Sequence, residues 1–375
     1  MKVEFFKHNI GKEELEGIRR VFNSPFLTTG KAVDRFEADL ANYLGTDLAV
    51  GLTSCTGALH LALIAAGVKR GDEVITTPMS FVATSNAIMM AGAKPVFVDV
   101  EKETGNINAN LIEDAITKKT RAILPVHLYG QMADMKKILA IAKKHKLVVI
   151  EDAAHALEAG RDGIRPGADS FGACFSFYAT KSITSGEGGA FATRRPEAAT
   201  LVKQLRSHGI TSEVAQRHRT GLKSYDVDRL GWKYNMDNIQ AAMLIPQLKK
   251  ADVRRDRRAK IAEYFRKAFS KTGVDMPRVL PRSRHAHHLF PIWVPAENRD
   301  DVLNYLNEHG IGATINYPPI HLFSLYRKKF GLKEGDFPVA ENIGRRTISL
   351  PLYSKLTDLE VKYVVRQVKN TITKA

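Results

Sequence analysis

Lys181 lies in the run Ser176-Phe177-Tyr178-Ala179-Thr180-Lys181-Ser182-Ile183-Thr184-Ser185-Gly186-Glu187-Gly188-Gly189. The run starts at the end of an apolar stretch, is rich in hydroxyls and closes on glycines, a setting in which a small anionic cofactor can be held beside an amine. An earlier apolar stretch, Val148-Val149-Ile150, ends in Glu151-Asp152. A lysine that forms a Schiff base, with an aspartate facing a pyridine nitrogen, is the pair that pyridoxal phosphate chemistry needs. The pairing points to an enzyme. In that role Lys181 must be partly desolvated or near other positive charge, so that its amine can be neutral and nucleophilic. It would hold the cofactor, yield to an incoming amine, and carry the proton between substrate carbon and cofactor carbon.

Other residues extend the constellation, each with a plainer alternative. Asp152 either keeps the pyridine nitrogen protonated or caps a helix starting at Ala153. His155 either bonds the cofactor's phenolic oxygen or is a buried, satisfied histidine. The segment Thr53-Ser54-Cys55-Thr56-Gly57-Ala58-Leu59-His60 passes from a strand into a helix, whose first N–H groups suit a phosphate or a simple cap. Phe81 follows another strand and either stacks on the pyridine face or belongs to the core. The glycines of 186–189 form neither the dinucleotide nor the Walker pattern. It is order and spacing that bring these residues into one hypothesis.

The elements that must position them alternate. Apolar runs at 48–50, 73–76, 95–98, 122–126, 148–150, 174–177 and 190–192 read as strands. Helical patterns such as 58–64 and 135–142 lie between most of them, which predicts α/β architecture: a mainly parallel sheet with helices on both faces. Ligands of such sheets bind beyond the carboxyl ends of the strands. A helical stretch from Asn238 to Phe269 leads out of this domain, and Pro246 should kink it or break it in two. A strand at 290–294 and helices at 299–308 and 358–369 then form a smaller mixed unit. The expected division is a large domain over 1–250 and a small C-terminal α/β domain over 251–375.

With 375 residues, 44% hydrophobic and 26% charged, the chain has the composition of an ordinary soluble globular protein. The N-terminus has no apolar signal core, and no run is long enough to cross a membrane. Cys55 and Cys174 are isolated, without metal-ligand or disulfide spacing, so a reduced, cytoplasmic protein is expected. The net charge of +16 fits either an acidic partner or a solvated basic surface. Much of it falls in 249–260, where the following apolar positions Ile261, Tyr264, Phe265 and Phe269 have helical spacing, with one face packed and the other wet. No zinc-finger, RNP or homeodomain-like pattern accompanies it, so no nucleic-acid partner is expected.

These pieces resemble the DegT-type family of nucleotide-sugar aminotransferases, within the fold-type-I pyridoxal-phosphate enzymes, over nearly the whole chain. The resemblance rests on Phe26-Leu27-Thr28-Thr29-Gly30, the 54–63 segment, Glu151-Asp152-Ala153-Ala154-His155-Ala156, the 176–189 run, the 231–242 segment and Tyr317-Pro318-Pro319-Ile320-His321. It implies a seven-stranded sheet, with Lys181 as the Schiff-base lysine, Asp152 at the pyridine nitrogen, His155 at the phenolic oxygen and Phe81 on the ring. Thr56, Gly57 and Ser176 would hold the phosphate. Lys233 and Asn235 would reach it from the second subunit of a homodimer with active sites at the interface. Lys233 stands where many members have asparagine, Cys55 where glycine is common, and Glu158 where glycine often follows. A related dehydratase branch has histidine at the position of Lys181, so lysine favours transamination.

The reaction implied takes an amino group from L-glutamate to a nucleotide-linked keto-sugar. The 206–209 segment and the stretch before Gly231 look most like members acting at C4 of UDP-linked sugars. Tyr317, His321 and His287 or His288 are candidates for touching the sugar or its diphosphate, or are structural. Two alternatives remain at this level. One is a C3-keto sugar or an aminocyclitol precursor as acceptor. The other is a pyridoxal-phosphate-binding regulator that binds DNA.

Overall fold

The computed structural model describes residues 1–211 and 226–372. Two helices, α1 (Lys12–Phe22) and α2 (Lys31–Leu44), lead into β1 (Leu48–Leu52). There follow α3 (Cys55–Ala65), β2 (Glu73–Thr76), α4 (Ala83–Met90), β3 (Lys94–Phe97), β4 (Thr120–Ile123), α5 (Met135–His145) and β5 (Val148–Asp152). The chain continues through β6 (Gly160–Arg161), β7 (Gly172–Ser176), β8 (Gly189–Thr193) and α6 (Pro196–Leu205). Next come α7 (Asn238–Leu248), α8 (Ala251–Phe269), β9 (Ser283–Arg284), β10 (Phe290–Trp293) and α9 (Arg299–Glu308). The last elements are α10 (Ser324–Phe330), α11 (Pro338–Arg346), β11 (Thr347–Leu350) and α12 (Asp358–Ile372).

The expected seven-stranded sheet is present, in the order β1-β8-β7-β5-β4-β2-β3. Only β8 runs against its neighbours, pairing antiparallel with both β1 and β7; the remaining pairs are parallel. Alternate residues explain the layers. Ala49, Ile75, Ile123, Val149, Ala173 and Ala190 pack on one face with α2, α5 and α7. Their neighbours Val50, Val74, Ala122, Ile150, Cys174 and Phe191 pack on the other with α3, α4 and α6. A strand buried on both faces has no polar side to show, which is why these runs are continuously apolar.

A further core gathers α8, α9 and α12 around the antiparallel pair β10–β11. Val3 belongs to it, because its N–H bonds to Gly310 O at 2.7 Å and its carbonyl accepts from Gly312 N at 2.8 Å. The N-terminus therefore packs on the C-terminal core, a long-range contact that periodicity does not reveal.

Some local expectations are corrected. The stretch from Asn238 to Phe269 is two helices, but the break falls at Lys249–Lys250 and Pro246 sits inside α7. Pro246 lacks the N–H that would bond Ala242 O. That carbonyl instead faces Gly17 of α1, where a Cβ would stand only 2.8 Å from it. Residues 153–157 form turns and not a helix. On α8, Ile261, Phe265 and Phe269 are buried as expected, whereas Tyr264 is exposed. The basic residues of this region are largely engaged within the chain: Lys250 with Glu13, Arg254 with Glu14, Arg257 with Asp358 and Arg258 with Glu158.

Candidate active site

The carboxyl ends of β1, β2, β5 and β7 converge on one cavity of about 520 Å³. β5 delivers Asp152 to its wall and β7 ends at Ser176, from which a turn brings back Lys181, its N–H bonded to Tyr178 O at 2.9 Å. The loop after β1 contributes Ser54, Cys55 and Thr56, and the loop after β2 contributes Ser80 and Phe81. Asn316 and Tyr317 enter from the C-terminal part of the chain. Position within the fold explains the clustering: parallel strands ending side by side place their following loops at one edge.

Lys181 has the electrostatics its sequence context called for. Burial lowers its pKa to about 8, against the raising influence of Cys55 and Asp152. At pH 7 about a tenth of the amine is thus neutral, far more than for an exposed lysine. Its Nζ lies 3.3 Å from His288 Nε2. Asp152 is buried, which raises its pKa; the opposing influences are, in order, Thr84, the Ala154 N–H, Lys181 and His127. Thr84 Oγ1 donates to Asp152 Oδ2 at 2.7 Å, and Ala154 N to Oδ1 at 3.1 Å.

His155 is buried, and burial followed by the Lys181 charge holds its pKa well below the usual imidazole range. Its Nε2 lies 3.1 Å from Tyr317 Oη, whose own pKa burial pushes up, so the phenol keeps its proton. With the phenol donating, the ring proton resides on Nδ1. That Nδ1 is buried without a hydrogen-bond partner among the described residues.

Beneath Asp152 a second layer fixes the end of β5. His127 Nε2 lies 2.7 Å from Glu151 Oε2, and Glu151 Oε1 accepts from Gly167 N at 2.8 Å and Ser170 Oγ at 2.5 Å. Ala133 N donates to His127 Nδ1 at 3.2 Å, so Nε2 carries the hydrogen toward the carboxylate. Gly189, at the start of β8, passes so close to α3 that a Cβ there would lie 2.2 Å from Ser54 C and 2.4 Å from Cys55 N. Only glycine lets the strand approach the helix start this closely.

Of the residues anticipated from sequence, Thr56, Phe81, Asp152, His155, Ser176, Lys181 and Tyr317 line the cavity. Phe81 is 59% exposed, a large ring left uncovered at the site. Gly57 does not line it; its N–H is taken by Ser54 Oγ at 3.0 Å, and the helix start left facing the cavity is Cys55 and Thr56. Gly57 serves packing, since a Cβ would meet the Tyr234 ring at 3.2 Å. His321 is fully buried beside Glu341 Oε1, 3.0 Å away, and stands apart from the cavity. Lys233 is exposed and Asn235 Nδ2 bonds Thr29 Oγ1 at 2.8 Å; neither lines the cavity of its own chain. His287 faces Arg255 and Arg258, and burial followed by their charges takes its pKa down to about 3. The 206–209 segment is described, but much of the stretch before Gly231 lies outside the described residues.

Sequence reasoning assigned no role to Thr84, Ser80 or Glu151. Thr84 was legible only as a hydroxyl one helical turn past Phe81. Its contact with Asp152 spans 68 residues and depends on β2 and β5 ending at the same edge.

The residues fit pyridoxal phosphate on the structure's own terms. A desolvated lysine and a buried aspartate face one cavity, which His155 also lines with one ring nitrogen left without a partner among the described residues. The start of α3, whose first N–H groups lack helical acceptors, suits an anion. When bound, that cofactor supplies the electron-accepting ring that stabilises negative charge at a carbon losing a proton.

Comparison with known proteins bears on the same arrangement. The model of the DegT/DnrJ/EryC1/StrS aminotransferase family matches residues 8–369. The spore coat polysaccharide biosynthesis protein SpsC of Bacillus subtilis is 40% identical over 97% of this chain and 95% of its own length. The putative sugar aminotransferase Spr1654 of Streptococcus pneumoniae, solved in its PMP form, superposes with a TM-score of 0.94 at 28% identity, covering 100% of both chains. Helicobacter pylori PseC, an aminotransferase involved in pseudoaminic acid biosynthesis, gives 0.93 at 30% identity, again covering 100% of both. A match of this extent, on a cavity built in this way, leaves one conclusion: the chain belongs to the DegT/DnrJ/EryC1/StrS aminotransferase family and is a pyridoxal-phosphate-dependent aminotransferase.

Proposed function

We propose that the protein transfers an amino group from L-glutamate to the C4 keto group of a UDP-linked sugar, giving an amino sugar for surface polysaccharide or glycan synthesis. That it is a sugar aminotransferase follows from its family and from relatives so described; the carrier, the carbon and the donor are our reading. The observation that carries it is the meeting of Lys181, Asp152 and Phe81 on one cavity of about 520 Å³, a size that suits a small organic ligand.

In this reading Lys181 anchors the cofactor and moves the proton. Asp152, held by Thr84, faces the ring nitrogen, and His155 Nδ1–H meets the phenolic oxygen. Phe81 covers the ring, while Thr56 and Ser176 hold the phosphate. Tyr317 reaches toward the sugar. Lys233 and Asn235, outside their own chain's cavity, contribute to the phosphate site of a second copy in a homodimer. The chain divides into a large cofactor-binding domain over 1–250 and a small C-terminal domain over 251–375. No helix among the described residues is long and apolar enough to cross a membrane, and we place the reaction in the cytoplasm, where nucleotide sugars are made.

The test is the absorption spectrum of the purified, cofactor-loaded protein before and after L-glutamate. The reading expects the lysine-linked band to convert with glutamate alone and to be missing in Lys181→Ala. A band that ignores glutamate overturns the donor. A panel of nucleotide keto-sugars against free inosose then assigns the acceptor; turnover with inosose alone overturns the substrate class.

A further inference from the structure

Lys181 lies on the wall between two cavities. The larger is the site described above; the smaller, of about 30 Å³, lies behind it and is shared by Lys181, His288, Arg258 and the N-terminal residues His8 and Asn9. His288 precedes β10 and does not line the larger cavity. Its ring packs against that of His155 with centroids 4.4 Å apart, and its Nε2 is 3.3 Å from Lys181 Nζ. Arg258 fixes the backbone of this segment by bonding Ala286 O and His287 O at 3.0 Å each.

An anchoring lysine must wait somewhere whenever it is not joined to the cofactor. It must stay close, and must not wander toward the carboxylate it faces. We propose that His288 is the positioning residue that provides this waiting place: its Nε2 accepts a hydrogen bond from the free Lys181 amine and holds it at the wall between the two cavities. This moves His288 from sugar contact to lysine partner, and it rests on Lys181 as the anchoring amine.

The surroundings make the imidazole an acceptor. Burial first, then the charges of Lys181 and Arg258 and the proximity of His155, keep it neutral. The charged and titratable groups around the pair are Asp152, Cys55, His155, Tyr178, Glu187 and Tyr317 on the cofactor side, and Arg258, His8, Lys7 and Tyr353 around the small cavity. Arg258 is committed to Glu158 at 2.8 Å, and burial pushes the Cys55 thiol pKa up. Among the described residues, His288 is the side chain within hydrogen-bond distance of Nζ. An acceptor favours the ammonium over the free amine, so it partly offsets the burial that lowers the lysine pKa.

The experiment follows competitive dinitrophenylation of Lys181 in cofactor-free protein against pH, read by mass spectrometry, for wild type, His288→Leu and His288→Gln. His288→Leu should lower the midpoint of Lys181 reactivity by about one unit, the worth of a hydrogen bond to a charged group. His288→Gln keeps an acceptor at similar reach and should restore most of it. Folding of each variant is checked by circular dichroism. An unchanged midpoint in folded His288→Leu, or an equal shift in both variants, overturns the proposal. Cofactor uptake by wild type and its loss in Lys181→Ala are scored separately, so failure of the anchoring role is told apart from failure of the His288 role. If only the leucine variant fails to fold, the glutamine variant and His288→Asn, whose shorter acceptor falls out of reach, decide the matter: a midpoint retained in glutamine and lowered in asparagine is the expected result, and equal midpoints reject it.

Discussion

Thr84 Oγ1 and Asp152 Oδ2 are 2.7 Å apart, and Ser80 Oγ lies 2.8 Å from the same threonine oxygen. A carboxylate accepts, so Thr84 donates to Asp152 and Ser80 donates to Thr84. The helix that follows β2 thus fixes the carboxylate at the end of β5.

Thr84→Val keeps the shape but removes the donor. Asp152, already raised by burial, loses the first influence holding its pKa down. A hydrogen bond to a charged group is worth about 1.5–3 kcal/mol. The expected outcome is cofactor affinity weakened on the order of tenfold with little change in far-ultraviolet circular dichroism, measured by fluorescence titration of the cofactor-free protein.

Lys181 predicts a pH dependence. Its pKa of about 8 is depressed below the ordinary lysine value by burial, and only the neutral amine attacks a carbonyl. The rate of cofactor capture by cofactor-free protein should therefore rise with pH and level off above about 8. For stability the sign follows from the lowered pKa, since between the folded and unfolded values the unfolded chain binds the extra proton. A lysine lowered on folding costs stability below its folded pKa, and that cost fades as pH rises through its folded value toward the unfolded one. Lys181→Met should be at least as stable as wild type at neutral pH while binding no cofactor covalently. A stopped-flow pH profile with no inflection near 8 would count against the lowered amine.

Much of the scaffold was legible because the sheet is buried on both faces: apolar runs such as Val148–Ile150 and Ala190–Ala192 have no other home. The carboxyl-edge residues were legible for the same reason, since Asp152 and Ser176 end their strands. What the sequence did not disclose depends on distance. Thr84 meets Asp152, Tyr317 meets His155, and Val3 joins the C-terminal core, each across a separation that no local pattern encodes. The role of His321 stayed open in the sequence because a buried His–Glu pair, which is what the structure shows, and a ligand-contacting histidine look alike there.

Arg258 ties the two parts of the site together. It bonds Glu158 Oε1 at 2.8 Å on the large-sheet side and the carbonyls of Ala286 and His287 on the other, and both charged side chains are buried. Glu158 is thereby explained as the arginine's counter-charge. Removing one partner leaves a buried charge alone, which costs about 3–5 kcal/mol. Glu158→Ala should lose stability on that order in urea unfolding. The double variant Glu158→Ala with Arg258→Met should recover part of it, and a double variant no better than the single would refute the pairing.

Gly189 offers a test of the anion site that leaves every polar group in place. A methyl there would lie 2.2 Å from Ser54 C and 2.4 Å from Cys55 N. Such a contact cannot be relieved by rotating a side chain, because the opposing atoms are backbone. Either β8 retreats from β1, or the first turn of α3 shifts outward. The overlap falls on the Ser54–Cys55 peptide that opens α3, so either movement displaces the helix start relative to the strand end. A displaced helix start misdirects the N–H groups that suit a phosphate. Gly189→Ala should therefore fold with a modest loss of stability, about 1–3 kcal/mol for a steric overlap of this kind, and should weaken binding of inorganic phosphate and of the cofactor together. Isothermal titration with each ligand checks this. Phosphate and cofactor affinities that both stay at wild-type values would show that the start of α3 is not where the anion sits.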